Sequence, residues 1–411
     1  MNQKKKLLII GKVWPEPSSS AAGSRMLELI DLFQRGGYDI TFATSASDSS
    51  YAVDLADYGV NRKAVEINSS TFNDFVRELK PDVVMFDRFM TEEQFGWRVV
   101  DECPEAVRIL DTEDLHSLRA ARQNAWKSGQ EFTPGMLFDE EIAKREIASI
   151  YRCDLSLIIS EFEFELLQKQ FKLSEDLLCY LPFLMNELPE SSSIPFEDRD
   201  DFVSIGNFLH EPNWNAVLWL KEEIWPLIHQ KLPNAKLNIY GAYPSQKVYQ
   251  LQNPKEGFLV HGRAESAEEV LSRARVLLAP LRFGAGLKGK LADAMKFGTP
   301  SVTTSIGAEG IEAAEDWPGA VLDDPAQFAN SAVKLHQKRE IWDAAQKKGF
   351  KILKQRFDKE KFADGFLNRL TVLHESLRNH RKKNFTGSLL MHHYQQGTKY
   401  MSKWIEEKNK H

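Results

Sequence analysis

The stretch Val276-Leu-Leu-Ala-Pro280, continued by Arg282-Phe-Gly-Ala-Gly-Leu-Lys-Gly-Lys-Leu-Ala-Asp293-Ala-Met-Lys-Phe-Gly298-Thr-Pro300, reads as strand, glycine-rich loop and helix. The strand is a continuous apolar run, the pattern of a parallel strand covered on both faces. Gly284, Gly286 and Gly289 permit a tight turn and close approach of the backbone to a ligand. The pattern predicts a helix that starts near Leu287, with Lys288 and Lys290 in its first turn. Cations there oppose the helix dipole by about 0.3–1 kcal/mol each unless an anion sits among them. The conflict points to a bound phosphate or pyrophosphate lying among Gly284, Gly286, the helix start at Leu287, Lys288 and Lys290. Asp293, a turn and a half further on, is placed to accept hydrogen bonds from a hydroxylated neighbour of that phosphate, such as a ribose.

The same alternation extends outward in both directions. The second half adds strand-like runs at Phe202–Gly206, Lys236–Gly241, Gly257–Gly262, Pro300–Thr304 and Ala320–Asp323. The first half offers Leu7–Gly11, Asp39–Thr44, Asp82–Asp87, Val107–Asp111 and Leu155–Ser160. Helical patterns lie between them at Ser24–Arg35, Thr71–Lys80, Glu92–Glu102, Leu137–Tyr151 and Glu161–Phe171. Two such series predict an α/β fold of two doubly wound, Rossmann-like domains. The Pro-, Ser- and acid-rich segment Asn186–Asp201 marks the boundary. The expected division is therefore 1–185, a linker at 186–201, 202–356, and C-terminal helices with a basic tail at 357–411.

Composition narrows the function. The 411 residues carry 53 basic and 59 acidic side chains, a net charge of −6, which argues against a dedicated nucleic-acid binder. No apolar run approaches the roughly 20 residues of a membrane-spanning helix. The opening MNQKKKLLIIGKVW superficially resembles a signal peptide, but its apolar part stops at Lys12 and no small-residue cleavage pattern follows, so it is expected to be the first strand. Cys103, Cys153 and Cys179 are too few and too scattered for a disulfide framework or a cysteine-rich zinc site, and the expected compartment is the reducing cytoplasm. The doublet His392-His393 lacks further ligands at metal-binding spacing, and no metal site is predicted. The phosphate-loop pattern ending in Gly-Lys-Ser/Thr is absent, as is G-x-G-x-x-G after the first strand, which argues against a kinase, an ATPase or an NAD enzyme.

Two other loops lie at strand ends. Pro15-Glu-Pro-Ser-Ser-Ser-Ala-Ala-Gly-Ser-Arg25 follows the first strand and leads into a helix, so its small residues suit either a ligand or a plain Ser-capped helix start. Asp111-Thr-Glu-Asp-Leu-His116 gathers three carboxylates and an imidazole, costly to bury and useful in a cleft. The bland reading is a helix start with acids in its first turn.

Taken together, RFGAGLKGKLADAMKFGTPSVTTSIGAEG, PEPSSSAAGSRMLELIDLFQRGGYDITFATS and GNFLHEPNWNAVLWLKEEIWPLI resemble the GT-B glycosyltransferases, and are most similar to the retaining glycosyltransferase family 4 (glycosyl transferases group 1). The match is specific over residues 280–310 and looser elsewhere. The resemblance implies two facing domains with the last helices crossing back onto the first. It implies transfer of a sugar from a nucleoside diphosphate sugar to a hydroxyl acceptor, a glycan or lipid-linked precursor, with retention and without a metal or other cofactor. Asp293 matches the second acid of the family's pair and would hold the ribose. The first acid would fall at Ala285 and is missing. Asn207 and Asn213 stand where the family often carries an Arg and a Lys for the pyrophosphate, a charge that Arg282 and Lys288 would supply instead. His116 resembles a histidine near the donor sugar, Gly23 a loop glycine that approaches the donor phosphate, and Glu309 a loop acid near the sugar or β-phosphate. The departures at Ala285, Asn207 and Asn213 motivate one alternative, a catalytically silent nucleotide-sugar binder or scaffold in polysaccharide assembly. The shared architecture offers a second, a nucleotide-sugar epimerase, which the missing acid at Ala285 does not favour.

Beyond Pro325 no strand-like run occurs, and the chain ends in a basic segment with Arg381, Lys382, Lys383, Lys399, Lys403, Lys408 and Lys410. Its aromatics Tyr394, Tyr400 and Trp404 are expected to pack onto the body of the protein. Peripheral contact with anionic lipid at the inner face of a membrane is the alternative.

Overall fold

The computed structural model describes residues 4–186, 193–312 and 315–409. Part of the predicted linker, residues 187–192, lies outside the described residues, as do Lys410 and the side chains of His393 and Tyr394.

The first sheet holds β1 (Lys6–Gly11), β2 (Asp39–Thr44), β3 (Asn61–Ala64), β4 (Val83–Asp87), β5 (Val107–Asp111), β6 (Leu155–Ile158) and β7 (Leu178–Tyr180), in the order β3-β2-β1-β4-β5-β6-β7. The second holds β8 (Asp200–Ile205), β9 (Leu237–Tyr240), β10 (Phe258–Gly262), β11 (Ala274–Ala279), β12 (Ser301–Thr303) and β13 (Gly319–Val321), in the order β10-β9-β8-β11-β12-β13. Every ladder is parallel. Each sheet runs outward from its first strand, then reverses, so the strand order switches between β1 and β4 and again between β8 and β11. Two doubly wound domains are what the sequence alternation predicts.

The cores explain the uninterrupted strands. Leu7 and Ile9 of β1 pack on one face of the first sheet with Phe33 and Val83, while Leu8 and Ile10 pack on the other with Val84 and Phe86. All four β1 side chains are shielded from water, worth about 1.5–3 kcal/mol each at most. The second sheet is sandwiched likewise, Ile239 and Leu278 on one face and Val203 and Leu277 on the other.

The chain changes domains a second time at Phe357–Lys359. The Met185 amide donates to Phe357 O at 2.8 Å, and the Lys359 amide donates to Met185 O at 3.2 Å. The helix Lys359–Lys383 then lays Ala363, Phe366, Leu370, Leu373 and Leu377 into the first domain's core. The last helix, Phe385–Lys408, follows it onto the same domain. One expectation fails here: Tyr400 and Trp404 do not pack on the body but project from it. Among the described residues no helix is long and apolar enough to cross a membrane, and the three cysteines are free.

Candidate functional site

Ligands of open parallel sheets sit beyond the carboxyl ends of the strands, where the strand order switches. Both switch points here face one gap between the domains. On the first sheet, Lys12 follows β1 and its amide donates to Asp87 Oδ2 at 3.0 Å. Asp87 and Asp111 end β4 and β5 in register, two acids side by side. Asp111 is bound by the buried Arg25, whose Nη2 lies 3.0 Å away and whose Nη1 donates to the carbonyls of Leu181 and Pro182, so this pair is structural.

Next to them the backbone is strained. Arg88 sits at φ 70°, ψ 158°, and Glu113 at φ 61°, conformations that L residues seldom adopt and that cluster at functional sites. Glu113 Oε1 is buried without a hydrogen-bond partner, and burial, with Asp111 beside it, pushes its carboxyl up to about 8. Asp114 pairs with Arg119, and its Oδ1 lies 3.4 Å from His116 Nε2. Burial would raise Asp114, but Arg119, His116 and His210 outweigh it and hold the carboxyl at about 2. Burial drives His116 down to about 3 against the pull of Asp114, so the ring is neutral at physiological pH.

On the second sheet the glycine-rich loop follows β11. Its helix is Gly289–Lys296, two residues later than the predicted start at Leu287, because Lys288 keeps an extended backbone and serves as N-cap. Lys288 is buried, and its Nζ donates to Gly286 O at 2.8 Å. Burial lowers its ammonium to about 8, opposed by Glu309. Lys290 keeps part of its surface open, and its Nζ donates to Asn213 Oδ1 at 2.8 Å. Burial alone lowers it to about 8, and no carboxylate among the described residues pairs with it. Asn213 in turn donates to Asn207 O at 2.8 Å, and Asn207 Oδ1 accepts from the Leu209 amide. Lys290, whose position in the first turn was legible but whose partner was not, thus brings an ammonium to the β8 loop beside Asn213.

The domains touch at several points around this gap. A Cβ on Gly289 would lie 2.5 Å from the Cβ of Ala21, so the starts of the helices Ala21–Arg35 and Gly289–Lys296 meet. Gly286, at φ 63°, would with a Cβ stand 2.8 Å from Asp114 Cβ. The Gly286 amide donates to Glu163 Oε1 at 2.7 Å, and that oxygen also accepts from the Leu115 amide at 3.2 Å. Ser160-x-x-Glu163 has the spacing of a capping box, but Ser160 makes no cap bond and Glu163 serves these two distant amides instead. Arg122 clasps Glu309 with both terminal nitrogens and donates to Gly284 O at 2.9 Å. At the rim, Tyr243 Oη donates to Glu16 and Arg263 Nη1 to Ser18 Oγ at 2.9 Å. Beside Arg263 lies a cavity of about 440 Å³ lined also by Val203, Asn238, Tyr240 and Ala264.

The predicted residues divide. His116, Asn207, Gly284, Gly286, Leu287, Lys288 and Glu309 lie around the gap, with Glu309 engaged by Arg122. Asp293 lies on the face of its helix that meets the first domain, near Glu28, and burial lifts its carboxyl to about 6. Two expectations need correction. Gly23 is the third residue of its helix, not a loop glycine, and its amide is spent on Ser20 Oγ at 3.1 Å. Its lack of a side chain is required by Glu16, whose carbonyl carbon would lie 2.4 Å from a Cβ. Arg282 does not join Lys288: its Nε donates to Asn215 at 2.8 Å, and its guanidinium lies between Trp126 and Trp219, 4.7 and 5.0 Å from their ring centroids. Arg122 and Glu163 are the functional candidates that the sequence does not single out, while Lys290, expected in the first turn beside an anion, gains a defined partner in Asn213.

Two facing Rossmann-like domains with a polar gap at both switch points define the GT-B fold. Residues 199–338 match the family model Glycosyl transferases group 1, which places that domain in the second half of the chain. No curated protein matches. Among solved structures, the sucrose-phosphate synthase of Thermosynechococcus elongatus is similar at a TM-score of 0.68 and 14% identity over 90% of this chain and 100% of that one. HepE of Anabaena, in complex with UDP and glucose, gives 0.66 and 11% over 90% and 100%. A TarM mutant of S. aureus, in complex with UDP among other ligands, gives 0.56 and 12% over 72% of this chain, which spans 57% of the TarM length.

Proposed function

We propose that the protein transfers a sugar from a nucleoside diphosphate sugar to a hydroxyl of a glycan or lipid-linked acceptor, with retention at the anomeric carbon. One observation carries the reading. Lys290 is a partly buried ammonium at a helix start, with an amide oxygen but, among the described residues, no carboxylate as partner. Such a charge is costly unless an anion completes it.

In this reading the diphosphate lies against Lys290, Lys288 and the free amides of the loop, which stabilise the departing charge electrostatically rather than through a metal ion. The ribose hydroxyls donate to Asp293. The neutral His116 offers a hydrogen bond to the sugar without repelling a developing positive charge at the anomeric carbon. The leaving phosphate oxygen takes the acceptor's proton, so no protein base is required. Glu163 releases the Gly286 amide as the diphosphate arrives, and the closed domains keep water from the activated sugar. HepE and TarM were seen with UDP, which makes uridine diphosphate the first donor nucleotide to try.

The test is a thermal-shift panel of UDP, GDP, ADP and dTDP, followed by transfer assays with the sugar nucleotide of the winner. A nucleotide at 100 times its Kd should add about 2.7 kcal/mol of stability. No shift with any of them refutes the reading. A second reading, a silent nucleotide-sugar binder, draws on the Gly286 amide being already taken by Glu163. It requires binding without transfer or hydrolysis across a broad acceptor panel.

A further inference from the structure

The last helix, Phe385–Lys408, is held to the first domain by one face whose contacts fix its rotation. A Cβ on Gly387 would lie 2.1 Å from Tyr151 O. Ser402 is buried, accepting from Arg98 Nη2 at 3.1 Å and donating to Asn68 Oδ1 at 2.9 Å. Lys399 pairs with Asp101 at 2.7 Å, and Glu406 accepts from the Ser70 amide at 2.9 Å. The helix cannot roll to bury its other side.

That other side exposes large apolar side chains. Phe385 is 74% exposed, Leu389 49%, Tyr400 63%, Met401 64% and Trp404 63%. At roughly 100° per residue, Phe385, Leu389, Tyr400 and Trp404 fall within an arc of about 100°, and from first to last they span about 28 Å along the axis. Lysines flank the stripe. Lys403 projects at one margin and Lys408 at the other, its ammonium 5.3 Å from the Trp404 ring centroid, and Lys382 and Lys383 are exposed at the corner before Phe385. Of the acids on this helix, Glu406 turns inward, and Glu407 falls within the same arc at its C-terminal end, beyond Trp404.

We infer that this face of the last helix is a docking surface for an anionic lipid bilayer. Apolar and aromatic side chains on a helix lying in the interface, with lysines at the margins reaching toward anionic headgroups, are what such a surface demands. The charge favours a membrane over a second copy of this chain, because two copies would set the lysine margins against each other.

The inference stands apart from the proposed glycosyl transfer and is tested without activity. Full-length protein is floated with vesicles of phosphatidylcholine containing about one-third phosphatidylglycerol, and with pure phosphatidylcholine. Binding to the anionic vesicles is expected to be at least ~tenfold stronger and to weaken in high salt. Tyr400→Ser, Met401→Ser and Trp404→Ser combined should lower it ~tenfold or more, with the melting temperature unchanged because those side chains touch little of the fold. Lys403→Glu with Lys408→Glu should abolish the preference for anionic vesicles. No binding, equal binding to both vesicles, or undiminished binding by the triple variant overturns the inference. So does a dimer in solution that the triple variant dissolves, since the face would then be covered by a second copy.

Discussion

Arg122 of the first domain holds Glu309 of the second in a fork, with Nη1 and Nη2 at 2.7 and 2.6 Å from the two carboxylate oxygens, while Nη1 also takes the carbonyl of Gly284 at 2.9 Å. The pair crosses the gap and ties the glycine-rich loop to the helix His116–Lys127. It is therefore a latch of the closed arrangement as well as a support for the loop.

Arg122→Ala should leave Glu309 partly buried and unpaired, costing about 2–3 kcal/mol because Glu309 retains some exposure. Arg122→Lys keeps the charge but not the fork and should recover only part of the loss. The expected pattern is a lower melting temperature together with a larger radius of gyration by small-angle scattering. A lower melting temperature at constant dimensions would mean that the other interdomain contacts keep the gap shut unaided.

Glu163 gives a prediction with a definite sign. Its carboxyl is raised from 4.5 to about 8, chiefly by burial and then by Asp114. Folding therefore takes up a proton between those values, and the group's contribution to stability falls as pH rises from about 4.5 through 8. Glu163→Gln keeps an oxygen for the Gly286 and Leu115 amides but cannot ionise. Its melting temperature should exceed that of the wild type by a margin that grows with pH across this window, whereas a constant offset would contradict the assignment. Glu163→Ala, which frees the Gly286 amide, should tighten nucleoside diphosphate binding several-fold.

These residues show where the sequence is legible. Strands such as Leu7–Gly11 and Val107–Asp111 read clearly because burial on both faces leaves a continuous apolar run. β3, Asn61-Arg-Lys-Ala64, is an exposed polar edge, and β7 is three residues long, so neither leaves such a run. The glycine-rich loop was visible because its glycines and cations are local. The destinations of its side chains were not, since Arg282 is claimed by Trp126 and Trp219, and Gly286 by Glu163, all far away in the chain. A capping-box spacing at Ser160 named a local partner for Glu163 that the folded chain does not use.

Lys290 separates stability from function. Burial lowers its ammonium from 10.5 to about 8, so the folded chain binds the proton less readily than the unfolded chain. Stability on this account rises with pH between about 8 and 10.5, and below 8 the cost is fully present. Lys290→Met removes the cost, and should stabilise the protein at pH 7 by about 1–3 kcal/mol. The same variant should weaken nucleoside diphosphate binding and lower kcat/KM by on the order of a hundredfold. A more stable protein that still binds the nucleotide would remove Lys290 from the anion site.

Asp293 is open to a test that no purely structural role would satisfy. Burial raises its carboxyl from 3.8 to about 6, so it is ionised at pH 7 and becomes protonated as pH falls below 6. If it accepts hydrogen bonds from the ribose, the wild type should bind the preferred nucleoside diphosphate ~tenfold more tightly than its 2′,3′-dideoxy analogue, because the analogue leaves the carboxylate unpaired. Asp293→Ala should bind the two ligands equally. Affinity of the wild type should fall below pH 6, and Asp293→Asn should lose that dependence. An equal preference for the ribose in wild type and Asp293→Ala would put the sugar elsewhere, and would leave this carboxyl as a buried neighbour of Glu28 with a role in holding the two helices at their present spacing.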